Sequence, residues 1–132
     1  MAFYLAYGRD LDTGGYRDLE GDLAQIREEA IWKMAEPGAG IAIEIGHRIV
    51  GYIYTTKREE HIWMSTDKKV CRFINPETGV LLRTKVPAEY VAGMHRIAIA
   101  DHMMIKSGKT VVLGATPKRK ASKRKKPVSK RR

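Results

Sequence analysis

The strongest periodicity in the chain is a stripe of apolar residues at three- and four-residue steps, which is typical of one face of an amphipathic helix. Asp18 lies just before the stripe and can cap the free amides of a first helical turn. The run Glu36-Pro37-Gly38 predicts where the helix ends, because proline disfavours helix at the preceding residue and glycine frees the turn. We therefore expect a long N-terminal helix. Its apolar stripe consists of Leu19, Leu23, Ile26, Ala30 and Met34.

From Ile41 the apolar period changes to two, which is typical of strands. Ile41, Ile43 and Ile45 alternate with smaller or polar residues, and the run Arg48–Thr56 follows after Gly46-His47. This pattern predicts a β-hairpin. The stretch Gly8–Gly15 has the composition of a loop, and Asn75-Pro-Glu-Thr-Gly79 is a strong turn signal. Short connections predict antiparallel neighbours in a meander. Further strands are predicted at Phe3–Tyr7, His61–Ser65, Val70–Ile74 and Val80–Thr84.

A second helix is predicted from Pro87, which suits a first helical position, to about Lys106. It would align Tyr90, Met94, Ile97 and either Met104 or Ile105 on one face. Ser107-Gly108 either ends this helix or forms the turn of a hairpin that leads into Thr110–Leu113. The predicted fold class is α+β, in which both helices pack on one face of a mainly antiparallel sheet.

The C-terminal sixteen residues, Pro117–Arg132, contain ten Lys or Arg and no acid. The whole chain has 25 basic and 15 acidic residues and a net charge of +10, so residues 1–116 are balanced at 15 of each. Like charge this dense repels itself and has almost nothing apolar to bury, so the pattern predicts a flexible arm. We expect a single globular domain over 1–116 and a basic tail over 117–132.

Charge is also uneven within the predicted domain. Residues 1–45 contain four basic and nine acidic side chains, whereas residues 46–116 contain eleven and six. The sequence leaves two alternatives open. The two halves of the chain form oppositely charged halves of the folded domain, or they interleave on folding and the asymmetry cancels.

The arm favours a nucleic-acid partner, RNA or DNA, because each Lys or Arg placed on a phosphate releases condensed counterions. Its spacing shows no device for reading bases, so we expect sequence-independent contacts. A membrane partner is disfavoured because the arm lacks aromatic or lipidated residues. The predicted phosphate contacts are Lys118, Arg119, Lys120, Lys123, Arg124, Lys125, Lys126, Lys130, Arg131 and Arg132.

These observations predict a nonenzymatic nucleic-acid-binding protein whose domain provides positioning or protein contacts, in a ribonucleoprotein, a nucleoid or a genome-packaging assembly. Two alternatives come from other classes of protein. One is a structural or assembly protein of the virion type, which self-associates while its arm holds nucleic acid. The other is a small enzyme acting on nucleic acid or nucleotides, for which the sequence offers no catalytic set.

Arg48, Tyr52 and Tyr54 share one face of their predicted strand, and aromatic residues beside an arginine can stack bases. Whether they are exposed depends on the hairpin register. A two-residue loop places the tyrosines on the same face as Ile41 and Ile43, in the core. A three-residue loop turns them outward. We expect the core placement and keep base stacking as the alternative.

The remaining chemistry-bearing residues predict no metal site and no cofactor. The single cysteine, Cys71, excludes an intrachain disulfide and a four-cysteine zinc site. Gly108-Lys109-Thr110 resembles the end of a phosphate-binding loop, but Met103 occupies the place of the required glycine. The histidines, at positions 47, 61, 95 and 102, lack the spacing of metal ligands.

The N-terminal stretch has no basic region before its short apolar run, so it does not resemble a signal peptide. No apolar run approaches the ~20 residues of a membrane-spanning helix. We therefore expect a protein that is not secreted. It would be cytoplasmic or nucleoid-associated, nuclear if eukaryotic, or part of a virion if viral.

Overall fold

The structure, a computed structural model, describes residues 2–107. Within this range six strands and two helices form an α+β fold, as predicted. The basic arm and the predicted strand Thr110–Leu113 lie outside the described residues. The elements are β1 (Tyr4–Asp10), β2 (Tyr16–Gly21), α1 (Leu23–Met34), β3 (Gly40–Ile45), β4 (Arg48–Thr55), β5 (His61–Ser65), β6 (Cys71–Phe73) and α2 (Ala88–Ser107).

The six strands form one sheet in the order β2-β1-β3-β4-β5-β6, and every pair of neighbours is antiparallel. The run from β3 to β6 is the meander that the short connections predicted. The first part of the sheet differs, because β1 lies between β2 and β3. Strands β2 and β3 are therefore parallel to each other, and α1 provides the crossover that such a connection requires.

The predicted long N-terminal helix is wrong in length and in its start. Residues Tyr16–Gly21 form β2, and α1 has only 12 residues. Gly21 takes a positive φ of 124°, and Asp22 then caps the helix in a capping box with Gln25, with two hydrogen bonds of 2.9 Å. Leu19 has helical spacing to the stripe, but it is buried in the sheet because β2 pairs with β1.

The loop predicted from Gly8 is also wrong at its start, since β1 continues through Gly8 to Asp10. A Cβ atom added to Gly8 would lie 2.7 Å from the sulfur of Met34, so α1 approaches the sheet closely at this point. The turn itself begins after Asp10, whose carboxylate accepts the amides of Asp12 and Thr13 at 2.8 and 3.1 Å. Gly8 is therefore a packing residue and not a strand terminator.

The two helices lie on opposite faces of the sheet, and the prediction that both pack on one face is wrong. Successive strand residues point to opposite faces, so each strand contributes to two cores. The sheet is therefore the middle layer of three. The core under α1 includes Ile41, Ile43, Ile53 and Trp63. The core under α2 includes Ala42, Tyr52, Ile62 and Met64.

The predicted strand Val80–Thr84 is absent from the described residues. After the turn Asn75–Gly79, the chain returns along β6 for one bridge, Ile74 to Leu81. The turn matches its prediction: the Gly79 amide donates to the Asn75 carbonyl at 2.7 Å, and Gly79 takes a φ of 77°.

The second helix is confirmed and runs from Ala88 to Ser107, whereas the alternative of a hairpin that leads into Thr110–Leu113 lies outside the described residues. Met94 faces the core as predicted, whereas Met104 and Ile105 are exposed. Asp101, which is buried, takes the inward position near the end of α2. Neither helix of the described part is long and apolar enough to cross a membrane.

Candidate functional site

The hairpin of β3 and β4 combines a two-residue loop with a β-bulge. Ile45 pairs with Arg48 across the loop, and the register then shifts at Ile43 and Glu44. A bulge inserts one extra residue in one strand and so reverses the faces beyond it. The two registers predicted from the sequence, with a two-residue and a three-residue loop, did not include a bulge. As a result, Tyr52 and Tyr54 face away from the α1 core and toward α2.

Of the three residues in the base-stacking hypothesis, Arg48, Tyr52 and Tyr54, the structure withdraws Tyr52 from the surface. Tyr52 is only 3% exposed, and its hydroxyl donates to a carboxylate oxygen of Asp101 at 2.9 Å. Tyr54 is half-buried, and Arg48 lies exposed beside the hairpin turn. The burial of Tyr52 is confirmed, but the expected face is wrong, because Tyr52 lies in the core under α2 and not beside Ile41 and Ile43.

Tyr52 belongs to a network of charged and polar groups that joins α2 to four strands. The Arg9 guanidinium holds Asp101 with two parallel hydrogen bonds of 2.9 Å. Its Nε donates to Glu44 at 2.8 Å, and Glu44 also accepts the hydroxyl of Tyr16 at 3.4 Å. The chain brings these groups together over long separations, since Arg9 and Asp101 are 92 positions apart.

The electrostatics of the network follow from its burial and from its excess of carboxylates. The hydrogen bonds with Asp101 raise the pKa of Arg9 above its ordinary value, although burial opposes this. Burial raises the pKa of Tyr52, and the charge of Asp101 raises it further. Burial likewise raises the pKa of Tyr16. Arg9 is therefore a fixed cation, and both tyrosines remain protonated at neutral pH.

The network positions α2 on the sheet. Bidentate pairs between arginine and carboxylate fix orientation as well as distance. Both oxygens of Asp101 accept from Arg9, and one of them accepts from Tyr52 as well. Since the guanidinium is committed to two carboxylates, Arg9 serves to hold α2 and not to bind a phosphate.

The face of the sheet under α2 is covered only in part. Leu5, Tyr7 and Tyr16 are 71%, 50% and 55% exposed, and the two tyrosine rings meet edge to face at 5.8 Å between centroids. Asp18 is paired across the strands with Tyr7, and Glu20 with Leu5, so exposed acids alternate with the apolar groups. We call this surface, formed by Leu5, Tyr7, Tyr16, Asp18 and Glu20, the open half-face.

The topology decides between the two alternatives for the uneven charge. Strands β2, β1 and β3 come from the acidic first part of the chain, and β4, β5 and β6 come from the basic part. Because these two groups of strands are neighbours and do not alternate, each half of the sheet keeps the charge of its own stretch of sequence. The open half-face lies in the acidic half.

The basic half exposes its cations at the turns and at the β6 edge. Lys68 and Lys69 lie in the turn between β5 and β6. Arg83 and Lys85 lie in the segment that connects β6 to α2. Arg72 is partly withdrawn, because its Nε donates to the Leu82 carbonyl at 2.9 Å. This half offers a minor positive surface, since the sequence of the arm carries a much denser charge.

Other candidate groups in the described range contribute less. The Nε2 atom of His95 is buried without a hydrogen-bond partner. Residues 2–107 contain no group of three or more His, Cys, Asp or Glu that could hold a metal ion. Burial raises the pKa of the Cys71 thiol, which does not favour a nucleophile.

The predicted phosphate contacts, Lys118 to Arg132, lie outside the described residues. The network was missed because no local pattern links Arg9 to Asp101. The open half-face did leave a signal, since large residues at 3, 5 and 7 alternate with small ones at 6 and 8. No family model, curated protein or solved structure matches this chain.

Proposed function

We propose that the protein binds nucleic acid without catalysing a reaction, through phosphate contacts from Lys118, Arg119, Lys120, Lys123, Arg124, Lys125, Lys126, Lys130, Arg131 and Arg132. The observation that carries this proposal is the partition of charge. Residues 108–132 hold 11 of the 25 basic residues and no acid, whereas residues 2–107 hold 14 basic and 15 acidic ones. A folded part with almost no net charge supplies little affinity of its own for a polyanion.

The folded part has a positioning role in this proposal. Its basic half contains β4, β5 and β6. A polyanion held by the arm is attracted toward that half and repelled by the acidic half. The contacts to phosphate carry no sequence information, so binding is expected to RNA and DNA alike.

The test is a salt titration of binding to an RNA and to a DNA of equal length. If five or six cations engage, the slope of log affinity against log salt is about −5. Replacing Lys123, Arg124, Lys125 and Lys126 with glutamine is expected to make that slope shallower by roughly 2, because about half of the ten cations engage, and to weaken binding by roughly one to two orders of magnitude at moderate salt.

A matched control removes three lysines and one arginine from the basic half instead, through glutamine at positions 68, 69, 83 and 85. We expect this control to change the slope by less than about 1. Equal losses in the two variants would show that the arm is not the binding element. Failure of the intact chain to bind either polynucleotide at ~20 mM salt would refute the proposal, because electrostatic binding is strongest there.

One observation favours the assembly alternative as a second candidate. Besides the open half-face, Phe3, Ile99 and Met103 are at least 60% exposed, and exposed apolar groups of this size mark protein contacts. An assembly role requires self-association. Sedimentation velocity over a wide range of protein concentration tests it, and a mass that stays monomeric throughout would exclude this candidate.

A further inference from the structure

The open half-face combines two properties, apolar surface and negative charge, that are complementary to one kind of side chain. Leu5, Tyr7 and Tyr16 offer apolar and aromatic surface, and their exposure leaves most of that surface in water. Asp18 and Glu20 place two exposed carboxylates among them. Lysine and arginine side chains suit such a surface, since their stems are apolar and their cations pair with carboxylates or lie over aromatic rings.

The end of α2 brings the rest of the chain close to this surface. Arg9 and Asp101 fix α2 above β1. Beyond that point the last turns of α2 border one cleft of about 1590 Å³ together with Thr13 and Tyr16. Tyr16 is the residue of the open half-face that lines this cleft, so α2 ends at the cleft that borders the Tyr16 end of that surface.

The length and order of the residues that follow α2 match the surface. Eleven residues after Gly108 reach ~35 Å when extended, whereas the two strands β1 and β2 are ~5 Å apart and at most ~24 Å long. After Lys109 and Thr110 the segment offers apolar side chains in Val111–Leu113 and then a cluster of cations from Lys118 onward. A route that starts near Tyr16 meets the two tyrosines first and then reaches Glu20, which is paired with Leu5 at the other end of the two strands.

A second copy of the same surface is a poorer occupant. A symmetric contact places each patch against its own copy, which brings four carboxylates into one interface without a cation from either open half-face. Like charges brought together in this way oppose association. The chain's own segment instead brings opposite charge, and tethering gives it an effective concentration in the millimolar range.

We propose that the open half-face docks this chain's own residues 109–120, with Val111–Leu113 on Tyr7 and Tyr16, and Lys118–Lys120 beside Asp18 and Glu20. The docking itself stands on the geometry and charge described above. Its consequence rests on the proposed function: a polyanion competes with the acidic half for the arm, so docking lowers the apparent affinity for nucleic acid.

The direct test is carbodiimide coupling on the full-length protein, followed by mass spectrometry. This reagent joins a lysine amine to a carboxylate in contact with it. We expect Lys118 and Lys120 to couple to Asp18 and Glu20. Asp67 and Glu77, which are equally exposed but lie in turns of the other half, serve as internal controls. Coupling spread evenly over all four carboxylates would overturn the proposal.

Isotope labelling separates this chain from a second copy. In a mixture of ¹⁵N-labelled and unlabelled protein, docking within one chain gives cross-linked peptides of a single isotope type. Mixed peptides would show that the occupant is the arm of another molecule, which contradicts the proposal. Raising salt from ~20 mM to ~500 mM is expected to reduce the coupling, because exposed charges are screened over shorter distances.

The competition with nucleic acid is tested with two matched double variants, Asp18→Asn/Glu20→Gln and Asp67→Asn/Glu77→Gln. Each removes two negative charges, so any difference reports docking and not net charge. At low salt we expect the first variant to bind a polynucleotide ~2- to 10-fold more tightly than the second, because more of the arm is free. Equal affinities would contradict the competition. If polynucleotides do not bind but the coupling pattern stands, the docking holds and the proposed function fails.

Discussion

Asp101→Asn is predicted to lower the free energy of unfolding by about 2–4 kcal/mol. Asp101 accepts three hydrogen bonds, two from Arg9 and one from Tyr52, and hydrogen bonds to a charged group contribute ~1.5–3 kcal/mol each. Asparagine keeps one acceptor oxygen and turns an amide toward the donors of its former partners. The side chains of Arg9 and Asp101 are only 11% and 8% exposed, so solvent screens the loss weakly.

Urea denaturation followed by circular dichroism measures this loss. For a domain of about 100 residues the m-value is ~1–3 kcal/mol per molar urea, so the midpoint is expected to fall by roughly 1–3 M. Asp67→Asn is the control, because it makes the same chemical change at an exposed turn and is expected to stay within ~0.5 kcal/mol. If both variants unfold at the same urea concentration, the network does not hold α2 on the sheet and our interpretation of it is wrong.

Three further predictions concern stability. Gly79→Ala would place a methyl group on the backbone of α1, so we expect the free energy of unfolding to fall by at least ~2 kcal/mol. The control is Gly46→Ala, where φ is also positive but nothing lies within 4 Å, and its expected loss is ~1 kcal/mol. Similar urea midpoints for the two variants would contradict this prediction. Because burial raises the pKa of Tyr52, its contribution is complete below pH ~10 and is lost at higher pH. Stability measured across that range should therefore fall less in Tyr52→Phe, and an unchanged profile would argue against the shift. Arg27→Lys should cost ~1–2 kcal/mol in the same assay, because lysine cannot both donate to Gly79 as the guanidinium does at 2.8 Å and stack on Trp63; no loss would mean that these contacts contribute little.

Local patterns predicted the elements for which the apolar period and the flanking turn residues indicate the same structure. The β3–β4 hairpin, β5 and the turn Asn75–Gly79 lie where alternation and turn residues indicated. The second helix begins one residue after Pro87. In these stretches short-range chemistry and tertiary packing favour the same conformation, so the sequence alone is informative.

Where two local signals competed, the fold decided. Asp18 and Asp22 can both cap a helix, and the spacing of Leu19 fits the apolar stripe. Pairing of β2 with β1 buries Leu19 in the sheet, and the capping box at Asp22 then starts α1 one turn later than predicted. Helical spacing could not reveal this, because the partner strand lies outside any local window.

The charge of the chain, including the basic residues from Lys118 to Arg132, follows directly from composition and needs no structure. The arrangement of that charge in space depends on the fold. Only the strand order shows that acidic and basic stretches lie side by side, and only the bulge at Ile43 turns Tyr52 toward Asp101. Contacts such as Arg9 with Asp101 join residues far apart in the chain, so they depend on the whole fold and not on any stretch of sequence.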